Sequence, residues 1–193
     1  HSSRYDHLTL RRLAVQVGAS VLLDSATGGN SIGAVAGNVT GAFHVTNGST
    51  AMSVANLSGL NGVLSGGGGV DLSTGGNLNF NANVSTGNSS LTAVAGQTMT
   101  IASGVTLTVG TGEATLVTST GSFINNNGDS AIDTSGVTGS GRWLIYAADP
   151  ATSSEGFSSY NKHYNQGYVA GARPTYASSG NWFLYSLAPV LNV

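Results

Sequence analysis

The chain has 193 residues, with six basic and eight acidic side chains and a net charge of −2. Charged residues make up 7% against a usual ~25%, yet 40% of residues are hydrophobic, so disorder for want of apolar content is excluded, and nothing in the net charge points to nucleic acid or an anionic membrane. Cysteine is absent, which excludes disulfides and thiol chemistry, and no apolar run approaches the ~20 residues that span a bilayer.

Glycine is the other outlier, at 29 residues. Gly, Ser, Thr and Asn fill the chain between Val, Leu, Ile and Ala. That mixture suits short strands joined by tight turns. It suits helices badly, because Ser, Thr and Asn compete for helical hydrogen bonds and Gly costs about 1 kcal/mol per site relative to Ala.

Residues 1–13 form a basic N-terminal segment with Arg4, Asp6, His7, Arg11 and Arg12. They lack the apolar core of a signal peptide. His1-Ser2-Ser3 is consistent with the remnant of an affinity tag, and we expect a mature or excised fragment. His1 and His7 fall in a terminus expected to fray.

Residues 14–140 contain no Lys or Arg, and their only charges are Asp24, Asp71, Glu113, Asp129 and Asp133. They read as strand, turn, strand throughout. Alternation places Leu78, Phe80, Ala82 and Val84 on one face, Met99 and Ile101 on another stretch, and Val105, Leu107 and Val109 on a third. Turn signals interrupt these runs at Thr27-Gly28-Gly29-Asn30, Asn47-Gly48, Asn61-Gly62, Gly66 to Gly69, Gly75-Gly76-Asn77, Thr86-Gly87-Asn88, Gly110-Thr111-Gly112 and Asn125 to Gly128. Leu78 lies 21 residues before Met99, and Val84 lies 21 before Val105. Coils of this size predict an all-β chain wound as a right-handed parallel β-helix, a solenoid whose rungs stack on their neighbours. A β-sandwich is the rival architecture. The 21-residue register and the excess of Asn and Gly favour the solenoid.

Residues 141–193 hold ten of the fourteen aromatic residues together with Arg142, Lys162 and Arg173. Trp143, Leu144, Tyr146, Trp182, Phe183 and Tyr185 are expected to cap the solenoid, whose last rung must be shielded from end-to-end pairing. Tyr160, Tyr164, Tyr168 and Tyr176 lie among Ser, Asn, Gln and Gly. With His163 they are the candidate contacts to a ligand or a neighbouring subunit, since exposed Tyr stacks well on sugars and proteins.

Gly141 to Pro150, reading GRWLIYAADP, resembles the GRWLVYSxDP segment of filamentous-haemagglutinin-like exoproteins. Tyr160-Asn161, Tyr164 and Gly180 to Pro189, reading GNWFLYSLAP, are similar to the stretch that follows it in that family. The run from Val70 to Gly121 resembles the family's degenerate β-helical repeats. The resemblance implies Gram-negative surface proteins exported by two-partner secretion, with roles in adhesion, aggregation or biofilm and no cofactor. The family's N-terminal secretion module has no counterpart here.

Catalysis finds little support in the residues. Asp129 and Asp133, read as one strand, would hold their carboxylates ~13 Å apart. Glycosidase pairs need about 5–9.5 Å. Lyases of this fold need a nearby base, and residues 14–140 offer no Lys or Arg. No GxSxG elbow, phosphate-binding loop or repeated calcium loop is present. His44 reads as an outward-facing strand residue without metal partners. The pairs Thr98/Thr100 and Thr106/Thr108 are too few for an ice-binding array. We therefore expect a secreted, non-catalytic surface adhesin or self-associating extracellular fibre protein, without cofactor, metal or nucleic-acid partner and with other copies of itself or glycans as partners. A carbohydrate-binding module and a β-helix polysaccharide-degrading enzyme are the alternatives.

Overall fold

The computed structural model describes residues 8–24, 29–135 and 141–190. The Thr27-Gly28 turn and the charges at Arg4, Asp6 and His7 lie outside these residues. The chain winds into a parallel β-solenoid of about seven turns. The first coil is β1 (Thr9–Val17) and β2 (Val21–Leu23), and the second is β3 (Ser31–Val39) and β4 (Phe43–Thr46). The third holds β5 (Met52–Val54), the short β6 (Asn56–Leu57) and β7 (Leu60–Asn61), then β8 (Val63–Ser65) and β9 (Val70–Thr74). Regular coils follow: β10 (Leu78–Phe80), β11 (Val84–Ser85) and β12 (Leu91–Ala95), then β13 (Met99–Ile101), β14 (Leu107–Thr108) and β15 (Glu113–Thr118). The sixth is β16 (Phe123–Asn125), β17 (Ile132–Asp133) and β18 (Arg142–Ala147). The last contributes β19 (Asn161–His163) and β20 (Trp182–Tyr185).

Three faces result. One stacks β5, β10, β13 and β16, the second β8, β11, β14 and β17, and the third runs β2, β4, β9, β12, β15, β18, β20 and β19. The first two faces branch from β3, which pairs with β5 through Ala34 and Val35 and with β8 through Gly37 to Val39. All these pairings are parallel. The exception is the small antiparallel hairpin of β6 and β7 that bulges between the two faces.

Alternation becomes columns of like side chains. Met52, Leu78, Met99 and Phe123 stack rung on rung, as do Val45, Leu72, Ala93, Leu116, Ile145 and Phe183. All ten are buried in one continuous core. Fully burying such a Leu, Ile or Phe side chain stabilises by roughly 1.5–3 kcal/mol. The interior is narrow: a Cβ at Gly37 would sit 2.4 Å from the Phe43 ring, so only glycine fits there.

One corner column is polar at three of its four positions. Asn47, Thr74, Ala95 and Thr118 succeed one another at the end of the third face. Asn47 is buried, and its side chain accepts from Ile32 N–H at 3.0 Å and donates to Ile32 C=O at 2.7 Å. Asn30 does the same work one rung earlier, accepting from Leu8 N–H and donating to Leu23 and Thr46 carbonyls. These amides satisfy backbone groups that the bend takes out of the ladder.

Three expectations need adjustment. The 21-residue register holds for Leu78 and Met99, but Val84 pairs with Leu107 and not with Val105. The turn at Ser103-Gly104, where Gly104 has φ 76° and Val105 N–H bonds to Ala102 C=O, absorbs the two extra residues. The solenoid does not begin at residue 14, because β1 already pairs with β3 from Thr9. The strand assumed across Asp129 to Asp133 is instead a 3-10 turn at Gly128–Ala131 leading into β17.

The two ends of the coil differ. No described strand pairs with the outer edges of β1 and β2. At the other end, Ser154 bridges to Ile124 and covers β16. The chain then lays β19 outermost and returns to slot β20 between β18 and β19. The outermost strand is therefore only three residues long, lies at the surface, and carries Lys162.

Candidate functional site

The aromatic third of the chain divides into an inner cluster and an outer one. β18 and β20 belong to the third face, so alternate residues point in opposite directions. Trp143, Phe183 and Tyr185 point inward and join the core, whereas Leu144, Tyr146 and Trp182 lie on the outer side of the same strands. The six residues expected at the cap thus split evenly between the last rungs' interior and their flank.

The inner cluster centres on Glu155. Its carboxylate accepts from the hydroxyls of Tyr160 and Tyr185 and lies 2.8 Å from Lys162 Nζ. Burial pushes this carboxyl up, but the bonds from Lys162, Tyr160 and Tyr185 more than offset it and hold the carboxyl below its ordinary range. Burial and the neighbouring carboxylate push the Tyr185 hydroxyl strongly up, so it stays protonated and donating. Tyr160 packs on Phe183 with centroids 5.1 Å apart, and Tyr164 stacks on Tyr185 at 5.9 Å. These two sequence candidates therefore pack into the end of the core.

The outer cluster forms where residues 164–181 fold back over the third face. Leu144, Tyr146 and Leu184 are buried beneath this segment together with its own Ala177, and Tyr168 and Trp182 pack against the cluster. Tyr168 meets Tyr146 edge to face at 5.1 Å. Burial first, then the charge of Glu113, raises the Tyr146 hydroxyl above its usual value. Arg142 and Arg173 clamp the Glu113 carboxylate, each at 2.6 Å, and Arg142 also donates to Ala177 C=O at 2.6 Å. Glu113 and Arg142 sit directly opposite on β15 and β18, so the ladder itself brings them together.

Two further candidates meet on the surface. His163 stacks on Tyr176 at 4.3 Å, and Tyr176 in turn lies 5.4 Å from Trp182. The Tyr176 hydroxyl donates to Gln166 at 2.8 Å. The structure thus separates the five candidate contacts into an internal pair (Tyr160, Tyr164), an exposed stack (His163, Tyr176) and Tyr168 alone.

Tyr168 marks a site that its neighbours in sequence do not reveal. A groove of about 450 Å³ opens between the folded-back segment and the third face, lined by Thr92, Glu113, Thr115, Leu144, Tyr146, Tyr168 and Gly171 to Arg173. A second groove of about 490 Å³ continues toward the β2 end along His44, Gly68, Gly69, Asp71, Ser89, Ser90 and Thr92. The two share Thr92. The sequence signal for this trough was the outward alternation of His44, Asp71, Thr92 and Thr115, which is legible only once the rungs are in register.

His44 faces outward, as its position in the strand predicts. Its Nε2 lies 3.2 Å from Asp71 and its Nδ1 3.9 Å from Asp24. Asp129 accepts from Ser158 N–H and hydroxyl, which lowers its carboxyl, and Asp133 is lowered by the Ser135 hydroxyl and N–H. Each acid is engaged by its own serine. No group of three potential metal ligands is gathered among the described residues. No helix of the described chain is long and apolar enough to cross a membrane.

The chain matches no family model, no curated protein and no solved structure.

Proposed function

We propose that this chain is the closing segment of a non-catalytic extracellular solenoid, an adhesin or fibre module of the Gram-negative outer surface. The observation that carries this reading is the inequality of the two ends. The β1 and β2 edges are free to accept another rung among the described residues. At the opposite end the Ser154 bridge covers β16, the Glu155 cluster fastens the last aromatic residues and the outermost strand of the third face is three residues long and bears Lys162, while β17 has no strand beyond it among the described residues. Short edges and edge lysines are the devices by which sheets refuse further strands. Motifs similar to filamentous-haemagglutinin-like exoproteins support the same reading and bring export by two-partner secretion with it. A rod that stacks at one end only does not grow into a fibril. Where a solenoid precedes it, its open end continues that solenoid; in this chain by itself, the open end pairs once, end to end, with a second copy across a two-fold axis.

Sedimentation equilibrium tests this. The protein is expected to reach a monomer–dimer equilibrium and stop at two copies. Leu13 is only partly buried against the core at the open rung. Leu13→Glu sets a charge where the added rung would pack and should leave a folded monomer. Monomers alone at every concentration, or association that survives Leu13→Glu, would overturn the reading.

A further inference from the structure

The outward trough on the third face belongs to no part of that assembly. We propose that it binds a neutral oligosaccharide, laid across the strands from β4 to β18. The two grooves share Thr92 and together run over five successive strands. Strands spaced at roughly 4.8 Å make it about 19 Å long.

The lining selects the ligand. Thr92 and Ser90 present hydroxyls able both to donate and to accept, as sugar hydroxyls do, and Thr115 and Ser89, which donate to Glu113 and to Gly67 C=O, add acceptors. Tyr168 stands beside them with Tyr146 bracing its ring. Such a ring offers a face to the apolar side of a sugar. The trough mixes charges of both signs. Glu113 is held by Arg142 and Arg173, and Asp71 lies 3.2 Å from His44 Nε2. An anionic chain would meet the paired carboxylates, and a cationic one the paired arginines. An extended peptide has no purchase either, because strands β4, β9, β12, β15 and β18 are each hydrogen-bonded on both sides and offer no edge to augment.

The test is amide chemical-shift mapping on the whole chain, with the Leu13→Glu protein run in parallel so that assembly and binding are read apart. The probes are hexasaccharides of β-1,4-glucan, β-1,4-mannan, β-1,4-xylan, α-1,4-glucan and β-1,4-linked N-acetylglucosamine, with hexagalacturonate as the charged comparison. We expect a neutral hexamer to shift the amides of Thr92, Thr115 and Arg173, about tenfold more tightly than its dimer. Tyr168→Ala and the nearly isosteric Thr115→Val should each weaken it by about tenfold, while Asn81→Ala on another face leaves it unchanged. No response to any neutral hexamer, shifts that lie outside the trough, or tighter binding of hexagalacturonate would overturn the proposal.

Discussion

At the scale of single residues, the buried corner amides are where the coil is most easily broken. Asn47 serves both backbone groups of Ile32. An unsatisfied buried group costs about 1–3 kcal/mol. Asn47→Ala is therefore expected to lower the unfolding free energy by about 2 kcal/mol in urea titrations. A loss within the ~0.5 kcal/mol typical of surface changes would show that the corner does not depend on the amide. The alternating residues were readable in advance: Leu78, Phe80, Ala82 and Val84 are all buried, as are Val105, Leu107 and Val109. Asn47 was readable only as a turn signal beside Gly48. Its structural role depends on Ile32, 15 residues away, which periodicity does not connect to it.

At the scale of elements, the end of the coil is fastened by a titratable group. The Glu155 carboxyl is held below the usual glutamate value of 4.5. A lowered folded-state value means that the contribution is complete above the unfolded-state value and is lost as pH falls through the folded-state value. Glu155→Gln should be less stable than the wild type at pH 7. The gap should close as the pH is taken below about 4.5. A gap that stays constant into acid would mean that Glu155 acts through packing and not through its charge. The sequence located this aromatic end but not its wiring. Tyr160 and Tyr164 sit among polar residues, yet β19 carries them to the last rung, where Phe183 and Tyr185 wait. Insertion of β20 between β18 and β19 brings residues about 20 apart into register, Asn161 with Trp182, and no local pattern announces such a return. The even spacing of Asp129 and Asp133 misled for the complementary reason, since a 3-10 turn breaks the period of two.

At the scale of the whole molecule, about seven turns at roughly 4.8 Å give a rod near 30 Å long with unlike ends. In stacked-repeat folds each rung is held by its neighbours, so a rung with one neighbour opens most readily. No residue of β1 is fully buried, whereas β12 buries Leu91, Ala93 and Ala95. The most direct test of one open end and one closed end is hydrogen exchange by mass spectrometry across a protein concentration series. The amides of residues 9–17 should exchange faster than those of 91–95 in dilute protein and gain protection as the concentration rises, while those of 161–163 do not change. Protection that grows at 161–163 instead, or at neither end, would contradict the account.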